Sequence, residues 1–143
     1  MVSDLWSVII MSDYIKDIHK ELYEVSKAGD CARVRELLEA GADPDKYKDK
    51  EDGSTALLWA AEKGHNEVVK TLIQAKCDLN VKDNDGDTAL HGAARDGHRD
   101  IVISLLESGA DPHIKNDKGQ TPIELTPKSD IVGLELNTKY SFL

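Results

Sequence analysis

Aromatic, cysteine and proline side chains are scarce in this chain of 143 residues, which has 5% aromatics with one Phe, two Cys and four Pro. With so few rings, its core has to be built from Leu, Val, Ile and Ala. Two cysteines do not make a stapled secreted scaffold, and Cys31 and Cys77 lack metal-ligand spacing. They are expected to be reduced, partly buried thiols of an intracellular protein, cytoplasmic or nuclear, with a secreted protein holding one disulfide as the alternative. No apolar run approaches the roughly 18 residues of a membrane helix. The most apolar stretch, from Leu5 to Met11, follows Asp4 instead of a basic segment and makes a poor signal peptide. Basic charge is in deficit, with 18 Lys and Arg against 27 Asp and Glu and a net charge of −9. That excludes a nucleic-acid binder, which needs a concentrated basic face, and disfavours an anionic membrane surface. A basic patch on another protein is the natural complement.

What the chain does have is a repeat. Gly53, Gly86 and Gly119 are 33 residues apart, as are Thr55, Thr88 and Thr121. The same shift carries Leu57 to Leu90 and Ile123, Ala60-Ala61 to Ala93-Ala94, and Gly64-His65 to Gly97-His98. It also carries Val69 to Val102, Leu72 to Leu105 and Asp78 to Asp111. An earlier copy lies at a shift of 35, pairing Leu22 with Leu57, Gly29 with Gly64, Leu37 with Leu72 and Asp43 with Asp78. Two extra residues therefore fall in the connection from Lys46 to Asp52, which makes a longer loop.

Each copy spells two helices and an extended loop, an all-α design. Thr55, Thr88 and Thr121 stand as N-caps, and Thr121-Pro122-Ile123-Glu124 adds proline at the first helical position and glutamate three residues after the cap. The Ala pairs allow close helix approach, and Gly64 and Gly97 end the first helix in a left-handed conformation. Val68, Val69, Leu72 and Ile73, then Ile101, Val102, Leu105 and Leu106, form one buried helical stripe per copy. Gly41 and Gly109 close the second helix, and Lys76, in their place in the second repeat, is expected to cost about 1 kcal/mol if left-handed. Leu58 replaces His91, so a loop-bracing contact is expected to be missing there.

The segment from Asp83 to Ala94, followed by Gly97-His98 and Gly109-Ala110-Asp111, resembles an ankyrin repeat, and the resemblance covers residues 14 to 135. It implies an ankyrin-repeat solenoid of stacked helix-turn-helix units with β-hairpin-like loops. The expected organisation is an N-terminal extension over 1–11, repeats at about 12–46, 47–81 and 82–114, a truncated unit at 115–135, and a tail at 136–143. The terminal units depart from the pattern as capping repeats do: the first helix is expected to begin near Ser12-Asp13, and Pro127 cuts the last one short. Residues 1–11 fold over the apolar edge of the first helix pair, dock as a peptide through the alternation Trp6, Val8, Ile10, or are disordered; Met11 is an alternative start.

Several constellations have bland readings. His65 and His98 recur with the repeat and brace turns, His91 falls on a position of the resembled family, and none has the spacing of a zinc site. Asp83, Asp85 and Asp87 begin like a calcium loop, but the glycine is Gly86 and Ala94 stands where the bidentate glutamate belongs. No catalytic motif, cofactor site or metal site is present, so the chain is not read as an enzyme. Trp59, opposite Gly92 in the repeat register, is either packing complementarity between stacked helices or an aromatic anchor on the binding face.

The resemblance also implies a concave binding face made of loop tips and first helices. Its positions here are Tyr47, Lys48, Glu51, Asp52, Ser54, Trp59, Glu62 and Lys63, then Asn84, Asp85, Asp87, Arg95 and Asp96, then Asp117, Lys118 and Gln120. Asp83, Asp85, Asp87, Asp96 and Asp100, against Arg95 and Arg99, form the electrostatic centre, so binding to a basic partner should weaken with salt. The expected function is a protein–protein interaction module, monomeric on its own, acting as adaptor, scaffold or subunit of a larger complex. The alternative is a stand-alone inhibitor that occludes a partner enzyme, as small ankyrin kinase inhibitors do. Leu72, Asp78, Leu79 and Asn80 resemble the ankyrin sequence used by an asparaginyl hydroxylase, with a loop asparagine bonding its own backbone as the plainer reading of Asn80.

Overall fold

The computed structural model describes residues 18–127. The expectations for 1–11, for the helix start near Ser12-Asp13, for the stub after Pro127 and for the tail at 136–143 lie outside the described residues. Helix α1 is helical over the described residues 18–28. It is followed by α2 (Cys31–Glu39), α3 (Ala56–Lys63), α4 (Asn66–Gln74), α5 (Ala89–Arg95), α6 (Arg99–Glu107) and α7 (Pro122–Leu125). Among the described residues there is no strand. Helices α3 and α4 pair within one repeat and α5 and α6 within the next. Across repeats, α3, α5 and α7 stack as an inner row and α2, α4 and α6 as an outer row.

Small residues set the inner row. Ala60, Ala61, Ala93 and Ala94 are all buried, which lets α3 and α5 approach closely. Between the rows the expected stripes are in place: Val68, Val69 and Leu72 of α4 are buried with Ile73 partly so, and Ile101, Val102, Leu105 and Leu106 of α6 are buried. Each such side chain removed from water contributes roughly 1.5–3 kcal/mol, so the stack is held mainly by aliphatic burial. Cys31 and Cys77 are free, and burial pushes the Cys77 thiol up to about 12.

Histidines fasten one repeat to the next instead of bracing only their own turn. His98 Nε2–H donates to the Glu62 carbonyl at 2.8 Å, and His65 Nε2–H to the Lys27 carbonyl at 3.1 Å. Each ring lies over the left-handed glycine of the preceding repeat. A Cβ on Gly64 (φ 81°) would come within 2.6 Å of His98 Cε1. His91 is fully buried; its Nδ1 accepts from the Thr88 backbone N–H at 3.0 Å and its Nε2–H donates to the Gln120 carbonyl at 2.8 Å.

The helix starts follow the residue three places after the cap. Thr88 with His91, and Thr121 with Glu124, form capping boxes. Thr55 makes no side-chain cap bond, and Leu58 stands where the reaching side chain would be. The threonine hydroxyl alone, expected to cap all three helices, therefore does not do so at Thr55.

The loops project as fingers, each closed by a backbone bond: Asp49 N–H to the Ser54 carbonyl, Asp83 N–H to Asp87, and Asn116 N–H to Gln120, all at 2.9 Å. Neighbouring fingers are tied by Asn84 N–H to the Asp52 carbonyl (2.8 Å) and Asp117 N–H to the Asp85 carbonyl (3.0 Å). At the finger bases, Asp45 accepts from Asp78 N–H at 2.9 Å, and Asn80 Oδ1 accepts from Asp111 N–H at 2.8 Å. These equivalent bonds locate the two extra residues. Asp45 and Asn80 are 35 apart, Asp49 and Asp83 are 34 apart, and Ser54 and Asp87 are 33 apart. One extra residue thus enters between Asp45 and Asp49, and the other between Asp49 and Ser54.

Candidate functional site

Where the fingers meet the inner helices, the surface is recessed. The finger turns set Asp52, Asp83, Asp85 and Asp87 along one side, and α3 and α5 set Leu58, Trp59, Glu62 and Arg95 along the other. Two recesses result. The smaller, about 190 Å³, is lined by Asp52, Ser54, Leu58, Trp59, Glu62, Asp83, Asp85, Asp87 and Arg95. The larger, about 400 Å³, shares Asp85, Asp87 and Arg95 with it and adds Asn116, Asp117, Lys118, Gln120 and Leu125.

Most residues proposed from the sequence are gathered here. Asp52, Ser54, Trp59, Glu62, Asp85, Asp87 and Arg95 line the smaller recess, and Asp117, Lys118 and Gln120 the larger. Several of them also hold the fold itself: Asp52 Oδ1 accepts from the Ser54 N–H at 2.8 Å and from the Ser54 hydroxyl, and Gln120 Oε1 from Asn116 Nδ2 at 3.2 Å. Asp87, 7% exposed, pairs with Arg95 and accepts from Asn116 Nδ2 at 2.9 Å. Ser54 is buried, with its hydroxyl 3.0 Å from the Tyr23 hydroxyl.

The rest lie outside the recesses. Tyr47 packs on Tyr23 with ring centroids 4.9 Å apart, and Lys48 Nζ donates to the Lys82 carbonyl at 2.9 Å. Asn84 Nδ2 donates to the Glu51 carbonyl at 2.9 Å, so these two positions splice the fingers. Asp96 caps the end of α5. Asn80 is exposed, and its amide oxygen bonds the backbone of the next repeat at Asp111, where the plainer reading had it bonding its own.

Trp59 is half-buried, with Lys27 Nζ 4.2 Å and Lys63 Nζ 5.4 Å from its ring centroid. Its supposed partner Gly92 faces a different residue: a Cβ on Gly92 would lie 3.2 Å from Glu62 Cβ. Sequence reasoning passed over Leu58, Asn116 and Leu125 as lining residues. A signal existed for two of them. Leu125 falls in the same register column as Trp59 and Gly92, and Asn116 in the column of Asp83.

The lining of the smaller recess carries an acidic excess, with Lys27 and Lys63 at the Trp59 ring as the cations beside it. Arg95 is engaged by Asp87, and among the described residues Asp52, Glu62, Asp83 and Asp85 have no ion pair within 4.0 Å. Burial, reinforced by Asp96, raises the Glu62 carboxyl above the usual range; burial likewise raises Asp83. Burial opposes ionisation of Asp87 too, but the hydrogen bonds from Arg95 and Asn116 outweigh it and hold that carboxyl below its usual value. Among the described residues no group of His, Cys, Asp and Glu could hold a metal ion, and no helix is long and apolar enough to cross a membrane.

A family model described as ankyrin repeats (3 copies) matches residues 22–116. The E3 ubiquitin-protein ligase MIB2 of Gallus gallus is 47% identical over 53 residues, covering 37% of this chain and 5% of that protein. Ankyrin repeat domain-containing protein 40 of Mus musculus is 33% identical over 66 residues, covering 46% of this chain and 18% of that protein. The chain thus spans a small part of the length of either relative.

Proposed function

The chain belongs to the ankyrin-repeat family, whose repeats are protein-interaction modules, and from that premise we propose that it is a non-enzymatic adaptor or scaffold holding a basic partner protein against the recessed face. The observation that carries this reading is the charge of the smaller recess: four carboxylates, Asp52, Glu62, Asp83 and Asp85, line it with Trp59, its lining cation Arg95 is engaged by Asp87, and Lys27 and Lys63 at the Trp59 ring leave an acidic excess. Like charges gathered in a half-buried recess repel one another, and a cation on the partner relieves that repulsion. Such charges act chiefly on association rate and specificity, so capture should weaken as salt rises.

The two relatives bear unrelated names, and each shares less than half of this chain. The reading therefore rests on the repeat surface and takes no activity from either relative.

The test is site-specific photo-crosslinking, with a photoreactive residue at Asp85 and, separately, on the outer row at Lys70. The expected result is one partner crosslinked from position 85, lost when Glu62→Lys is introduced and weakened by salt. Crosslinking from position 70 alone, or capture indifferent to the charge reversal at Glu62, would overturn the reading.

A further inference from the structure

The two recesses are adjacent and differ in charge, and this difference carries a statement about what lies in them. Resting on the recessed-face reading above, we propose that the groove receives an extended segment of the partner that places an arginine side chain in the smaller recess and an uncharged, apolar side chain in the larger one.

The smaller recess is lined by one aromatic and one aliphatic residue, Trp59 and Leu58, together with four unpaired carboxylates, and the Trp59 ring already holds Lys27 Nζ at 4.2 Å, a cation-on-aromatic contact of the kind an incoming cation would extend. That combination fits a side chain with an apolar stem and a planar cationic end better than it fits a compact ammonium. A guanidinium offers five donors in a fixed fork that satisfies several carboxylates at once, and it loses less on leaving water. The volume, about 190 Å³, equals roughly six waters at about 30 Å³ each, enough for the guanidinium and part of its stem.

Once Asp87 and Arg95 are paired, the larger recess retains only Asp85 and Asp117 against Lys118, with two amides and Leu125 as the remaining lining. Its charges nearly balance, so it offers little to a second cation and an apolar contact at Leu125. Spacing follows from the architecture. The recesses lie between α3 and α5 and between α5 and α7, and stacked helices are roughly 8–10 Å apart. An extended chain rises roughly 3.3 Å per residue, so the apolar side chain comes two or three residues from the arginine.

Glu62 supplies a readout that a nonspecific surface contact would not move. Its carboxyl is raised by burial and by Asp96, with Asp83 and Asp87 adding to the rise and Arg95 opposing it. A guanidinium bound beside it favours the ionised form. Binding should therefore strengthen as pH rises through the raised Glu62 value and level off above it.

The experiment titrates the protein with capped six-residue peptides followed by amide and indole NMR. The probes hold one arginine and a leucine two or three residues on, with partners in which citrulline replaces arginine, lysine replaces arginine, or glutamate replaces leucine. The expected outcome is shifts at the Trp59 indole and the Gly92 and Arg95 amides, with at least tenfold weaker binding for citrulline, an intermediate loss for lysine, and weaker binding for the glutamate peptide. Glu62→Gln with Asp85→Asn should lower affinity about tenfold and flatten the pH dependence without lowering the urea midpoint. Equal binding of arginine and citrulline peptides, or no binding of either, overturns the proposal. If crosslinking at position 85 still captures a partner in that case, the recessed-face reading survives and only the arginine assignment falls; if crosslinking fails too, both fall.

Discussion

Lys76 carries the backbone at φ 63°, where the flanking repeats place Gly41 at 97° and Gly109 at 100°. A side chain in that conformation sets its Cβ against the following carbonyl, and glycine removes the conflict. A Cβ at either equivalent glycine would meet nothing within 4 Å, and Lys76 itself is exposed, so Lys76→Gly relieves the strain at a position that packs against little. It should raise stability by about 1 kcal/mol, read as a higher urea midpoint with unchanged slope; a lower midpoint would contradict the strain. Lys76 was legible in the sequence because its column holds glycine elsewhere, and the contrast of Leu58 with His91 was legible for the same reason. Asp87 was not. An acid beside a finger turn reads as partner-facing, and only the convergence of Arg95 and Asn116, eight and 29 residues away, turns it inward.

Between elements, the fastening is a histidine lying over a glycine. A Cβ at Gly64 would have to occupy the space of the His98 ring while the backbone holds φ at 81°. Gly64→Ala should therefore cost about 2 kcal/mol or more, from backbone strain and from loss of the His98 bond to the Glu62 carbonyl. Hydrogen exchange would show where the loss falls: protection should drop across α5 and α6 relative to α2, whereas a uniform drop would count against a local fastening. The repeat boundaries and helix faces could be read from spacing because burial forces the same residue types into the same register. The pairing of Trp59 with Gly92 failed because register columns align chain positions, not contacts. The close approach of α3 and α5 brings Gly92 to Glu62, three residues further along.

For the molecule as a whole, pH acts through two opposed sets of carboxyls. Glu62 and Asp83 have raised values, so the handicap of holding them ionised is present above those values and is relieved as pH falls through them. Asp87 has a lowered value, so its contribution is present above the unfolded value of about 3.9 and is lost as pH falls through the folded one. Descending from neutrality, stability should first rise slightly and then fall. Urea midpoints between pH 7 and pH 3 should show Glu62→Gln flattening the upper part and Asp87→Asn removing part of the acid fall. A wild-type curve declining steadily from pH 7 would contradict the raised carboxyls of Glu62 and Asp83.

The first finger absorbs its two extra residues one at a time, on either side of Asp49, and the tie from Asp52 to Asn84 re-forms beyond them. The finger is slack in an otherwise tightly registered assembly: length added there is taken up locally and does not travel along the rows. A short epitope or fluorophore-bearing loop inserted between Lys48 and Asp49, past the packing of Tyr47 on Tyr23, would ride on the finger as a reporter of occupancy, with the helices beneath it undisturbed.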